Sequence, residues 1–141
     1  MFTHKLDIRK MVFFMAKYRK KLEADIRCPL EYGLAVFGGK WKSRIICVLS
    51  ADKKLRYSEI RKEMYNITDA VLAATLKDLI ADGIVDRKSY DEIPPRVEYS
   101  LTGKGNSVVP ILQSICRWSD IFYKEDVENE MKQCQKCDYH R

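Results

Sequence analysis

With 141 residues, 46% of them hydrophobic and 33% charged, the chain has the balance of one ordinary globular domain rather than a disordered polymer. No run approaches the ~18 uncharged apolar residues of a membrane span, and "MVFFMA" (Met11 to Ala16) is too short for a signal-peptide core, so a cytoplasmic protein is expected. The net charge of +6 is uneven: residues 1–27 hold eight Lys or Arg against three acids, which favours an anionic partner, either nucleic acid or a membrane surface.

Residues 1–27 read as a basic amphipathic helix. Ile8, Met11, Met15, Tyr18 and Leu22 recur at three- and four-residue steps, with Val12 and Phe14 widening the stripe. Arg9, Lys10, Lys17, Lys20 and Lys21 take the other side. Cys28-Pro29 marks a boundary, because proline suits the first position of a new helix. Leu30, Leu34 and Phe37 are the expected inward face of that helix, and Gly38-Gly39 its stop. Trp41 to Leu49 reads as the next helix, with Ile45, Ile46, Val48 and Leu49 inward.

A short extended piece is expected at Leu55-Arg56, then a brief helix that either Ser58 caps or Tyr57 leads into. The following helix has Thr68 as N-cap and Gly83 as C′ residue, and Leu72, Leu76, Leu79 and Ile80 share one of its faces. Only about four residues separate these two helices, the length of a helix-turn-helix connection.

Period two comes next. Ile84, Asp86 and Lys88 alternate with Val85, Arg87 and Ser89, and later Val97, Tyr99 and Leu101 alternate with Glu98 and Ser100. Between these strands, Pro94 and Pro95 fix their own φ and push Ile93 and Pro94 toward extended geometry. Thr102 then caps a last helix from Gly103 to about Lys132, carrying Val108, Ile111, Leu112, Ile115, Trp118, Ile121 and Phe122. Pro110 is expected to kink that helix or to mark a late start. The sum is mainly α with a small β-hairpin, a winged helix-turn-helix. The Pro94-Pro95 tip is its wing, and the stiffness lowers the entropy lost when it docks against a surface.

Enzyme chemistry finds little support. His4 and His140 are the only histidines, and no paired carboxylates, Ser/His/Asp set or glycine-rich phosphate loop occurs, so no catalytic residue and no cofactor is expected. Five cysteines, an odd number, argue against a disulfide framework. Cys134, Cys137 and His140 have metal-like spacing but supply three ligands at most, where a closed zinc site takes four. No metal is therefore expected; completion by a second copy, a redox dithiol and a plain tail are the readings of "CQKCDYH". Trp41, Trp118 and Tyr99 follow inward faces and read as core and interface residues.

"CPLEYGLAVFGGKWKSRII", "LRYSEIRKEM", "ITDAVLAATLKDLIADGIVDRKSYDEIPPRVEYSLTGKG" and the later "CRW" resemble the HxlR-type transcriptional regulators, a prokaryotic branch of the MarR-like winged-helix proteins. The likeness runs from Cys28 to Trp118, and "GGKWK" and "PPRVEYSLT" are its specific parts. It implies a homodimer that binds palindromic promoter DNA. It also implies a response to oxidants or electrophiles through the cysteine of the "CP" pair, here Cys28. The start of Pro29's helix and the neighbouring Arg27 suit a reactive thiol there.

The corresponding domain plan is an N-terminal dimerisation helix (1–27), the DNA-binding domain (28–105), a C-terminal dimerisation helix (106–133) and a Cys-containing tail (134–141). With the leucine face inward, the recognition helix offers Thr68, Ala70, Ala73, Ala74 and Lys77 to DNA. Its start departs from the family's usual polar or basic character, so the alanines are expected to touch thymine methyls. Lys40, Lys42, Lys53, Arg56 and Ser58 lie where phosphates could approach, and Arg96 lies where a guanidinium could enter a minor groove. A second reading makes the protein an adaptor, its basic N-terminal helix lying on a membrane or on a protein partner.

Overall fold

The computed structural model describes residues 28–123 together with Cys134 and Cys137. The expected helix over 1–27, on which the adaptor reading rests, and His140 lie outside the described residues. The chain divides into two compact units, 1–33 and 34–141. The elements in order are α1 (Pro29–Phe37), α2 (Lys40–Asp52), β1 (Lys54–Leu55), α3 (Tyr57–Met64), α4 (Asp69–Ala81), β2 (Val85–Tyr90), β3 (Arg96–Leu101) and α5 (Gly103–Phe122).

The inward face of α1 differs from the expected one. Leu30 and Leu34 are exposed, while Val36 is buried and Phe37 packs against the core. A three- and four-residue rhythm says which side chains share a face but not what covers them, and here it is the last turn that meets the core. The helix closes with the Gly38 N–H donating to the Leu34 carbonyl at 2.8 Å. As expected, α2 buries Ile45, Ile46, Val48 and Leu49.

The extended piece begins one residue earlier than the sequence suggests. Lys54 and Leu55 form β1, while Arg56 becomes the N-cap of α3, its backbone N–H donating to the Glu59 carboxylate at 2.8 Å. Of the two starts open for α3, Tyr57 is the one taken. β1 does not stand alone. It pairs antiparallel with β3 (Leu55 opposite Tyr99), so the sheet has three strands in the order β1-β3-β2, with β3 in the middle.

α4 ends as its sequence implies. Gly83 sits at φ 73°, where a side chain would be strained, and its N–H donates to Ile80 while the Ile84 N–H reaches back to Leu79, both carbonyls satisfied. Leu79 and Ile84 are both fully buried, the apolar contact that accompanies this helix ending. The chain then enters β2 at once. β2 and β3 run in register from Val85 opposite Leu101 to Tyr90 opposite Arg96, which leaves Asp91 to Pro95 as the wing tip.

Thr102 closes the wing at its base. Its hydroxyl donates to the Gly83 carbonyl at 2.5 Å and accepts from the Gly105 N–H at 3.0 Å, while its own N–H donates to Ile84. One residue therefore ties the exit of α4, the end of the wing and the start of α5. Gly105 is buried against the Ile84 carbonyl, so close that a Cβ there would collide with backbone. α5 runs unbroken through Pro110, so the late start does not occur, and it ends at Phe122 rather than near Lys132 because Tyr123 turns extended. Val108 and Leu112 face the core, whereas Ile111, Ile115, Trp118, Ile121 and Phe122 are exposed.

Candidate nucleic-acid interface

The corner between α3 and α4 sets how α4 meets a ligand. Thr68 caps α4, its hydroxyl accepting from the Val71 N–H at 3.3 Å. Leu72, Leu76 and Leu79 anchor the inner face, and Thr75 can be buried beside them because its hydroxyl donates to the Val71 carbonyl at 2.6 Å. Ala70, Ala73, Ala74, Lys77 and Ala81 are all exposed on the other side. That surface is mostly methyl groups, with the Lys77 ammonium and the exposed Asp78 carboxylate beside it. It can approach a groove closely and meet thymine methyls, but it offers few strong hydrogen bonds to base edges.

Asp69, the first residue of α4, is held from α3. The Arg61 guanidinium lies 2.7 Å from its carboxylate, and the Tyr57 hydroxyl donates to its backbone carbonyl at 3.1 Å. Arg61 and Tyr57 stand one turn apart on α3, so the two contacts pin the helix-turn-helix corner. The ion pair is exposed and contributes no more than about 1 kcal/mol, so its effect is orientation. The Tyr57 phenol is pushed above its ordinary value of 10.0, first by partial burial and then by the Asp69 charge and hydrogen bond.

The wing is organised differently. In the two-residue pleat, Tyr90 faces Arg96 and Lys88 faces Glu98 on the side turned away from the core. The Arg96 guanidinium stacks 3.9 Å from the centre of the Tyr90 ring and pairs with Glu92 at 3.1 Å. Its Nε is buried without a hydrogen-bond partner, and Lys88 approaches the same ring at 5.0 Å. The Tyr90 phenol is pushed up from 10.0, first by its hydrogen bond to Glu98. Arg96 is thus folded back over the last strand pair beside the wing tip rather than extended from it. The exposed tip is Ile93, Pro94 and Pro95, flanked by Asp91 and Glu92.

The remaining basic positions divide into two groups. Lys53, Arg56 and Ser58 are exposed at the junction of α2, β1 and α3, and Lys40 is exposed with its ammonium 4.5 Å from the Trp41 ring centre. Lys42 is turned inward, its ammonium donating to the Ala35 carbonyl at 2.9 Å, which fastens α2 to the last turn of α1. Cys28 is exposed directly before Pro29, and its carbonyl accepts from the Glu31 N–H at 3.0 Å.

The model of the HxlR-like helix-turn-helix family matches residues 36–127, more than half of the chain. The chain belongs to the HxlR-like helix-turn-helix family. It is similar to the HTH-type transcriptional regulator BH0655 of Halalkalibacterium halodurans, 43% identical over 104 residues that cover 74% of this chain and 92% of that protein. Among solved structures it resembles the redox regulator HypR in its oxidized form, with a TM-score of 0.63 and 41% identity over 71% of this chain and 100% of that one. The reduced form of YodB from Bacillus subtilis gives a TM-score of 0.64 at 34% identity, over 72% of this chain and 100% of that one. This HxlR-like chain is a transcriptional regulator with a winged helix-turn-helix DNA-binding fold.

Within the HxlR-like fold, the Tyr57, Arg61 and Asp69 corner was missed by sequence reasoning. Tyr and Arg four apart on α3, ahead of an acid in the first turn of α4, are the signal that could have found it. Among the described residues no three Cys, His, Asp or Glu side chains are grouped so that they could hold a metal ion, and no helix is long and apolar enough to cross a membrane.

Proposed function

We propose that this regulator acts as a homodimer on palindromic promoter DNA, with α4 in the major groove and the wing against the neighbouring backbone and minor groove. The observation that carries the reading is the outward face of α4: an anchored, capped helix whose exposed side is mostly alanines with Lys77 and Asp78, directly followed by a wing. Such a helix fits closely and reads little, so most of the affinity is assigned to phosphate contacts from Lys53, Arg56, Ser58, Lys40 and the wing. The outer face of α5 supports the dimer. Ile111, Ile115, Trp118, Ile121 and Phe122 line one exposed side, with Trp118 and Phe122 in ring contact at 5.3 Å, more apolar surface than a monomer usually leaves in water. Residues 1–27 are proposed to join that interface.

Cys28 is proposed as the thiol through which oxidants or electrophiles change DNA binding. Its exposure beside a helix start supports this, as does the likeness to HypR, a redox regulator. The test is selection of bound sites from a random DNA library with reduced and with oxidised protein. Reduced protein should enrich palindromes with half-site centres about 34–36 Å apart. Oxidation should change their recovery, and Cys28→Ser should abolish that change. Enrichment of single half-sites only would overturn the dimeric reading, and an unaltered oxidant response in Cys28→Ser would overturn the sensor assignment.

A further inference from the structure

Four of the five cysteines lie in the unit 34–141 and share one neighbourhood. Cys47 is on α2 and Cys116 on α5, two helices that pack against each other. The tail brings two more. Cys137 is seated on α5, its sulfur accepting a hydrogen bond from the Gln113 side-chain amide at 3.5 Å, one turn before Cys116. Its backbone N–H donates to the Cys134 carbonyl at 3.2 Å, which holds the two tail cysteines beside each other. Cys47 itself lies partly buried against the core. Its thiol is pushed up to about 12, first by burial and then by the charges of Cys116, Cys134 and Cys137.

None of these sulfurs is joined in a disulfide. Thiol–disulfide chemistry fits this arrangement better than a metal centre, for which no three of the described side chains are grouped. Cys47 is the member least suited to attack, since it stays protonated within the core. The tail pair is half-buried, and a backbone hydrogen bond joins its two members.

We propose that Cys134 and Cys137 form a redox-active dithiol seated on α5, a second oxidisable site that stands whether or not Cys28 is the sensor. The oxidant is a hydroperoxide. One sulfur attacks the peroxide; an S–O bond forms, the O–O bond breaks, and the peroxide leaves as water or alcohol, giving a sulfenic acid. The second sulfur attacks the first; the S–S bond forms, the S–O bond breaks, and water leaves. The two sulfurs lose two electrons in all, which the peroxide gains. Cys137 then presents a disulfide sulfur to Gln113, and the seat of the tail on α5 changes.

The test uses the full chain carrying Cys28→Ser, exposed to hydrogen peroxide, alkylated and mapped by mass spectrometry without reduction. Expected is an intrachain Cys134–Cys137 peptide lighter by two hydrogens, with Cys47 still alkylated after unfolding. Gln113→Ala, which keeps every thiol, should form that disulfide at a changed rate. Cys134 and Cys137 both recovered as alkylated thiols, or linked only between chains, would overturn the proposal, and an unchanged rate in Gln113→Ala would remove the seat on α5. An oxidant response of DNA binding that persists unaltered in the Cys28→Ser chain, with no tail disulfide formed, would count against the sensor reading and this proposal together, whereas alkylated Cys134 and Cys137 with that response abolished would count against this proposal alone.

Discussion

The helix α4 and the wing are built in opposite ways, and the proposed mode of binding divides the work between them accordingly. α4 is anchored and offers little positive charge outside: its cap, its leucine face and the Tyr57–Arg61–Asp69 corner fix its position, and Lys77 is the single cation among its outward positions, with Asp78 exposed beside it. The wing carries charge, but the charge is engaged, with Arg96 held over Tyr90 and paired to Glu92. In the proposed mode of binding the helix supplies fit, and the wing supplies electrostatic attraction once its arginine turns outward. The comparison teaches that specificity and affinity need not reside on the same element.

The sharpest way to break the comparison is to remove the wing's charge. Arg96→Ala is expected to weaken DNA binding by about 1–3 kcal/mol, in the range of a lost charge-assisted contact. Ala74→Ser on α4 should change it by far less. Fluorescence anisotropy with one labelled site reads both. Normal binding by Arg96→Ala would put the wing outside the interface.

The two threonine caps come next. Thr68→Ala removes one acceptor from the start of α4 and should cost about 1 kcal/mol of stability. Thr102→Ala removes an acceptor and a donor that together tie α4, the wing and α5, so its cost should lie near the top of the ~0.5–2 kcal/mol range for caps. Urea unfolding of both variants ranks them. Equal midpoints would mean that the wing's base needs no such fastening.

Both surfaces rest on one core, and alkali probes it. The Cys47 thiol is raised from its ordinary 9.0 to about 12, so the folded state keeps a proton that the unfolded chain releases. Its contribution to stability is complete below pH 9.0 and is lost as pH rises toward 12. The thermal midpoint of Cys47→Ala should therefore fall less steeply over that window than that of the unaltered protein. Parallel curves would contradict the burial of that thiol.

The smallest effect expected is a gain. Glu92→Gln removes the ion pair that holds Arg96 and one negative charge beside the wing tip, and should tighten DNA binding by about 0–1 kcal/mol, the scale of an exposed pair. Anisotropy titration at fixed salt measures it, and weaker binding would mean that Glu92 holds Arg96 in its binding pose.

Much of this fold was legible because it is written in short-range chemistry. Thr68, Gly83 and Thr102 announced the helix ends, Leu72, Leu76 and Leu79 their shared face, and the alternation around Pro94-Pro95 the wing. What was not legible depends on partners distant in the chain. A two-residue β1 becomes a strand only by pairing with β3. Leu30 and Leu34 have the spacing of core residues but lack the cover. Lys42 and Arg96 look like surface cations until the Ala35 carbonyl and the Tyr90 ring are placed beside them. The meeting of Cys137 with α5 likewise has no trace in local pattern, since Gln113 and Cys137 are 24 residues apart.

The division of labour between helix and wing is tested most directly by the salt dependence of DNA affinity for the unaltered protein, Arg96→Ala and Lys77→Ala. If affinity comes mainly from phosphates, the logarithm of affinity should fall steeply with the logarithm of salt, by about 0.9 for each contact neutralised. Arg96→Ala should lower that slope by about one contact on every DNA sequence alike. A shallow slope that neither substitution alters, with affinity set by the base sequence facing α4, would contradict the account.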